Sequence, residues 1–494
     1  MNKVCVIKTN RFDYPKPPFN PDVIYPELKS LHKDIKIDEN NQIFNAVRKS
    51  LSLIGMDYEN FNTEKWNPFK DLVKPGEIVF IKPNMIAEKH RKNNDWDYVI
   101  TNGSVIRPII DYLFIAMKGE GRVIIGDAPQ SDSKYWEIIK LMGLEEIREC
   151  YKNYRNFEIE IINLQDEYWV TKDDIHIETV TLKGDPRGSV LFNLKELSYF
   201  SEFDNHNIKY YGAGYNIDET NNAHKNGDHK YYIAKSPILA DVFINIPKLK
   251  THKKCGITVN LKSLVGINAN KNYLPHYIFG DPSNKGDQFD HMTIKRKVEN
   301  FLLINVKKYL SKKNKIIQYL ARKFKSKAYD IFGDTDEVIR SGNWYGNDTV
   351  WRMSLDLNKI LMYGSFNGEI NSKRKRYFSI VDGIKSMEGN GPVAGTCKNT
   401  GLIISGFDPV AVDCVCATLM GFDYKKIKLI TRAFDKIDYR LTDQSAESLE
   451  IVSNNELWNG KKIMELDYHS LLHFKPHFGW AGQIELENKK NELQ

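Results

Sequence analysis

Cysteine is scarce in this chain: Cys5, Cys150, Cys255, Cys397, Cys414 and Cys416 are the six among 494 residues. No two stand in CxxC spacing, which argues against a structural zinc site, and no iron–sulfur cluster is expected. Such sparse use fits a reducing compartment, so the expected location is the cytoplasm. Long apolar runs are missing too. No stretch reaches the roughly 18 residues that a membrane-spanning helix requires. The opening MNKVCVIKTN runs straight into an apolar strand, without the hydrophobic region of a secretory signal. No sequence block recurs, which excludes a solenoid or propeller. The net charge of +7 is unevenly placed. Segment 295–327 holds twelve Lys and Arg against Glu299, a local excess of +11 that leaves the remainder of the chain at −4. A mildly acidic body does not suit a nucleic-acid binder, and no nucleic acid is expected.

What is present reads as globular protein: 41% hydrophobic and 27% charged residues, over a length that allows two or three domains. EIVFIKPN is a short apolar run stopped by Pro83, so its strand delivers Lys82 and Asn84 to a loop. Ile106, Ile109, Ile110, Leu113 and Met117 fall at helical spacing, and RVIIGDAP is a second buried strand ending at Asp127. Strand, helix, strand, helix argues for parallel pairing with right-handed crossovers. The pattern resumes at DVFINIPKLKTH, RYFSIVDG and TGLIISG, and Asp408-Pro409 opens a core helix.

The expected fold is α/β, a mostly parallel sheet with flanking helices in two lobes. Residues 1–150 form the first lobe, and 233–290 with 350–494 the second. Residues 151–232, with the alternating FEIEIINL and IHIETVTL, read as an inserted β-rich lid, and 291–349 as a basic helical insertion. The apolar stripe within 295–327 allows peripheral contact with the inner face of a membrane; a hairpin packed on the sheet is the plainer alternative.

Four strand ends carry the chemistry. One supplies Lys82 and Asn84, one Asp127, one Lys248, Lys250 and His252, and one Asp382. In parallel sheets ligands bind beyond the carboxyl ends of strands. A helix after Gly256 places Thr258 and Lys262 on one face, with Asn260 between, and makes a cradle for carboxylate or phosphate. Asp127, His252 and Lys262 are the candidate catalytic groups. Lys82, Asn84, Arg107, Lys248, Lys250 and Asn260 are the candidate substrate-binding groups. Asp127, Asp382 and Glu388, the last in the Gly-rich loop EGNGPVAG, could hold a divalent metal.

The strings IKPN, GDAP, INIPKLKTH, NLKSLVGI, IVDGIKSMEGNGPVAGT and ISGFDPVAVD together resemble the motifs of domain-of-unknown-function family 362. KNYLPHYIFGDPSNKGDQF and GNWYGNDTVWRM look like a bacterial subgroup found with cell-surface polysaccharide genes. NGSVIRP, RVIIGDAP and THKKCGITVNLKSLVGI are also similar, in order, to segments of the nickel-dependent lactate racemases. That resemblance matches Arg107 to a substrate-holding arginine and Lys262 to a cofactor-holding lysine. Asp127 stands where that family has a histidine, which goes against racemisation and nickel. The resulting expectation is an enzyme for a small anionic substrate, isomerase-like or metal-assisted, acting in surface-polysaccharide metabolism. The alternative is a non-catalytic binder of a glycan precursor or partner enzyme.

Overall fold

The apolar runs KVCVIK, IVFIKP, GRVIIGD and VFINI become strands of one sheet, buried on both faces as continuous hydrophobic strands must be. In the computed structural model the described residues are 2–29, 31, 36–172, 175–203, 208–212, 216–310, 332–333, 336–371 and 373–488. The chain begins β1 (Lys3–Lys8), α1 (Gln42–Leu53), β2 (Ile78–Pro83), α2 (Gly103–Ala116), β3 (Gly121–Asp127). It continues α3 (Tyr135–Leu141), α4 (Leu144–Glu149), β4 (Phe157–Asn163), β5 (Glu167–Lys172), β6 (Ile175–Thr181), β7 (Ser189–Asn193) and β8 (Tyr210–Gly212). Next come α5 (Ile217–Ala223), β9 (Lys230–Ala234), α6 (Lys235–Leu239), β10 (Val242–Ile246), β11 (Lys248–His252), β12 (Gly256–Thr258), α7 (Asn260–Ser263) and β13 (Pro275–Ile278). The remainder is α8 (Ile294–Leu310), α9 (Val350–Tyr363), β14 (Arg376–Glu388), β15 (Thr396–Gly406), α10 (Pro409–Leu419), α11 (Lys428–Thr431), β16 (Glu450–Ser453) and β17 (Lys461–Lys462).

Eleven strands form the main sheet, in the order β17-β16-β1-β15-β14-β10-β2-β3-β4, with β11 and β12 attached beside β14. Neighbours run parallel except at β1–β15, β14–β15, β11–β12 and β16–β17. The segments expected as two lobes therefore share one sheet, and its two faces carry separate cores. Val79, Ile81, Val123 and Ile244 pack against Phe44, Val47, Ile106 and Leu113 of α1 and α2. Phe80, Ile124, Phe243 and Val381 face the other way, with residues of α9 and α10. Capping fixes these helices in place. Asn102 opens α2 by accepting from the Ser104 N–H, and Asp408 opens α10 by accepting from Val410 and Ala411.

Two expectations change. FEIEIINL is not part of a lid: it is β4, pairing in parallel with β3 along its whole length. The β-rich insert is instead three small two-stranded sheets, β5–β6, β7–β9 and β8–β13. The stretch after Gly256 is not one helix either. β11 and β12 form an antiparallel hairpin, and α7 covers only Asn260–Ser263. Of the basic segment 295–327, α8 describes the first part, while 311–331 lies outside the described residues, as does the second half of the expected stripe. Among the described residues no helix is long and apolar enough to cross a membrane.

Candidate active site

β2, β3 and β10 end side by side, and after Pro247 the chain continues as β11 beside β14. This brings two buried ion pairs under one roof. Lys82 Nζ lies 2.9 Å from Asp127 Oδ1, and both side chains are nearly inaccessible. The Asp127 carboxylate also accepts from the backbone N–H groups of Met85 (2.8 Å) and Ala128 (2.9 Å). Buried ion pairs persist only where remaining lone pairs are satisfied in this way. Lys248 Nζ lies 2.9 Å from Asp382 Oδ2, and Tyr14 donates its hydroxyl to Asp382 Oδ1 at 2.7 Å. The turn at Gly266 lies directly over the first pair: its carbonyl accepts from Ala128 N–H at 2.8 Å, and a Cβ there would fall 1.7 Å from Asp127 Oδ1.

Near these pairs are basic groups that have no counter-ion among the described residues. Lys250 is fully buried and donates to the Val99 carbonyl at 2.7 Å. Burial first, then the neighbouring Lys248 and Lys262 ammonium groups, hold its amine well below the usual lysine range. Lys262 is 9% exposed, and among the described residues its amine has no hydrogen-bond or ion-pair partner. Burial lowers its pKa; the neighbouring Cys255 opposes this, and Lys82 adds to it. His252 is buried, and its Nδ1 accepts from the Lys254 backbone N–H at 3.1 Å. Burial and Lys262 hold that ring neutral. The Thr258 hydroxyl, across the hairpin from Lys250, is buried and has no hydrogen-bond partner among the described residues.

Sequence reasoning missed three members of this cluster. Lys271 is buried, donates to the carbonyls of Val265 (3.1 Å) and Asn268 (3.2 Å), and is lowered by burial to about 7. Lys254, 5.0 Å from the centre of the Tyr277 ring, is likewise lowered by burial to about 7. His276, on β13, is held neutral by burial and then by Lys254 and Lys262. Lys262 is the shared neighbour: it acts electrostatically on Lys250, His252, Lys254, Lys271 and His276. The residues lie in a loop and an edge strand without ligand spacing, so only the basic string THKK hinted at one of them.

Other expected site residues have structural duties. Arg107 is turned away into α2: it binds Asp111 (3.0 Å), the Pro18 carbonyl (3.0 Å) and Cys150 Sγ (3.0 Å). Asn260 is saturated by Tyr377, Ser379 and Asp413. Asp413, raised by burial to about 7, anchors the start of α7 by accepting from the N–H groups of Asn260 and Leu261. Asn84 donates to the same Val99 carbonyl that Lys250 uses. The carboxylates offered as metal ligands do not form a ligand group. Asp127 and Asp382 are taken by Lys82 and Lys248, Glu388 by Lys398 at 2.9 Å. Among the described residues no three His, Cys, Asp or Glu side chains converge as a metal site. With both oxygens hydrogen-bonded, Asp127 serves as counter-ion and not as a free base. A groove of about 500 Å³ lies at the opposite ends of the strands, between Leu72, Arg376 and Asp443, away from this cluster.

No curated protein matches the chain. A crystal structure of a protein from Thermotoga maritima, a structural-genomics target, is similar over 76% of this chain at 11% identity, with a TM-score of 0.30. The chain spans 58% of that protein's length, and the likeness is too slight to carry an argument. The stretch that holds Lys248, Lys250, His252, Lys262 and Asp382 fares better: residues 183–418 match the family model described as Domain of unknown function (DUF362).

Proposed function

We propose that this protein is an enzyme that binds a small carboxylate- or phosphate-bearing anion around Lys262 and acts on it by proton transfer. The Lys262 amine carries this reading: it is buried, lacks a partner among the described residues, and neighbours Lys82, Lys250, Lys271 and His252. Burying cationic groups together is unfavourable, and an anionic ligand offsets that cost. The cluster is enclosed at the strand ends and is not a flat basic face, which favours a catalytic cleft over a macromolecular docking surface.

Inorganic phosphate tests the reading. It should raise the melting temperature of the wild type and raise that of Lys262→Met much less at the same phosphate concentration. Loss of one charge-assisted contact, ~1.5–3 kcal/mol, weakens phosphate binding roughly tenfold to hundredfold. Equal shifts in both proteins would contradict the role of Lys262.

A further inference from the structure

The backbone fixes two histidines of this cleft in opposite tautomers. His252 Nδ1 lies 3.1 Å from the Lys254 backbone N–H, which can only donate, and 3.3 Å from the Cys255 thiol, whose S–H can donate to it or to the Ile257 carbonyl at 3.4 Å. That nitrogen therefore carries a lone pair, and in the neutral ring the proton sits on Nε2. His276 Nδ1 lies 3.0 Å from the Leu274 carbonyl oxygen, which can only accept. There the proton sits on Nδ1, and Nε2 carries the lone pair. Neither Nε2 has a hydrogen-bond partner among the described residues. Both rings share Lys254 and Lys262 as electrostatic neighbours, and His252 senses His276 directly.

We propose that His276 is the proton acceptor of this site, and that His252 is a fixed hydrogen-bond donor that transfers no proton. The proposal rests on the anion-binding reading above and assigns the ligand's chemistry: an anion with an acidic hydroxyl on or beside its charged centre. In the step, the ligand O–H bond breaks and the proton forms a bond to His276 Nε2. The electron pair stays on the ligand oxygen, facing the Lys262 ammonium group and the His252 Nε2–H. His276 becomes an imidazolium that keeps its Nδ1–H bond to Leu274. His252 cannot exchange roles with it. Losing the Nε2 proton would leave an imidazolate, and a proton on Nδ1 would point at the Lys254 N–H. The charged groups facing His276 are Lys254, Lys262 and Lys271; all three oppose its protonation in the empty cleft. A bound anion offsets them.

Monobasic phosphate is the simplest such ligand. In the full chain with isotope-labelled histidine, proton–nitrogen correlation spectra read each tautomer directly. Near neutral pH the empty protein should show His252 protonated on Nε2 and His276 on Nδ1. Adding phosphate should convert His276 to imidazolium and leave His252 neutral with a shifted signal. His276→Asn keeps a donor toward the Leu274 carbonyl and removes Nε2. It should still bind phosphate, but the phosphorus resonance of the bound ligand, which reports the dibasic form in the wild type, should report the monobasic form in the variant. A phosphate-shifted His252 beside an unchanged, neutral His276 would overturn the role of His276 and leave anion binding standing. No response at either ring would overturn both. If His276→Asn fails to fold, the wild-type spectra decide alone.

Discussion

Lys82 and Lys271 are both buried amines near Asp127, yet among the described residues only Lys82 has its own carboxylate, at 2.9 Å. Lys271 has two carbonyls, and burial lowers it to about 7. This makes a stability prediction with a definite sign. The unfolded chain holds the Lys271 proton to a much higher pH than the folded chain does. Stability from this group is therefore lowest below its folded pKa and rises with pH above it, as the unfolded state binds more protons. Between about pH 7 and about pH 9 its share is at most about 1.4 kcal/mol per pH unit. Urea unfolding of Lys271→Met should show a shallower rise than the wild type over that range. Parallel curves would mean that Lys271 is charged in the folded protein.

At the scale of elements, the turn after α7 is the lid of the Lys82–Asp127 pair, and Gly266 is what lets it close. Gly266→Ala must push the turn or the carboxylate aside, which disturbs a buried ion pair. The expected destabilisation is about 3 kcal/mol or more. A melting temperature unchanged by the substitution would remove the turn from the account. The same region marks where sequence reading reached its limit. Apolar runs announced β2, β3 and β10, since buried strands need continuous hydrophobic sequence. The helical spacing of Ile106, Ile109 and Ile110 announced α2. That spacing could not say that Arg107 would find Asp111 and Cys150 behind it. Gly256, at φ +85°, turns the chain back as a hairpin where a helix was expected.

Across the whole molecule, strands from both ends of the chain share one sheet, and the basic cluster gathers where β2, β3 and β10 end together. Lys82, Asp127, Lys250 and His252 were legible in the sequence because each follows directly from an apolar run that had to end there. Lys271 and His276 were not: Lys271 stands in a short 3-10 turn and His276 on β13, which pairs with the distant β8, and such long-range placement leaves no local signal. On the proposed reading, this convergence makes an anion site centred on Lys262. A crystal structure of the protein soaked with tungstate, a heavy-atom stand-in for phosphate, tests it most directly. Anomalous density is expected within hydrogen-bond distance of Lys262 Nζ and His252 Nε2. Tungstate bound elsewhere while this cleft stays empty would contradict it.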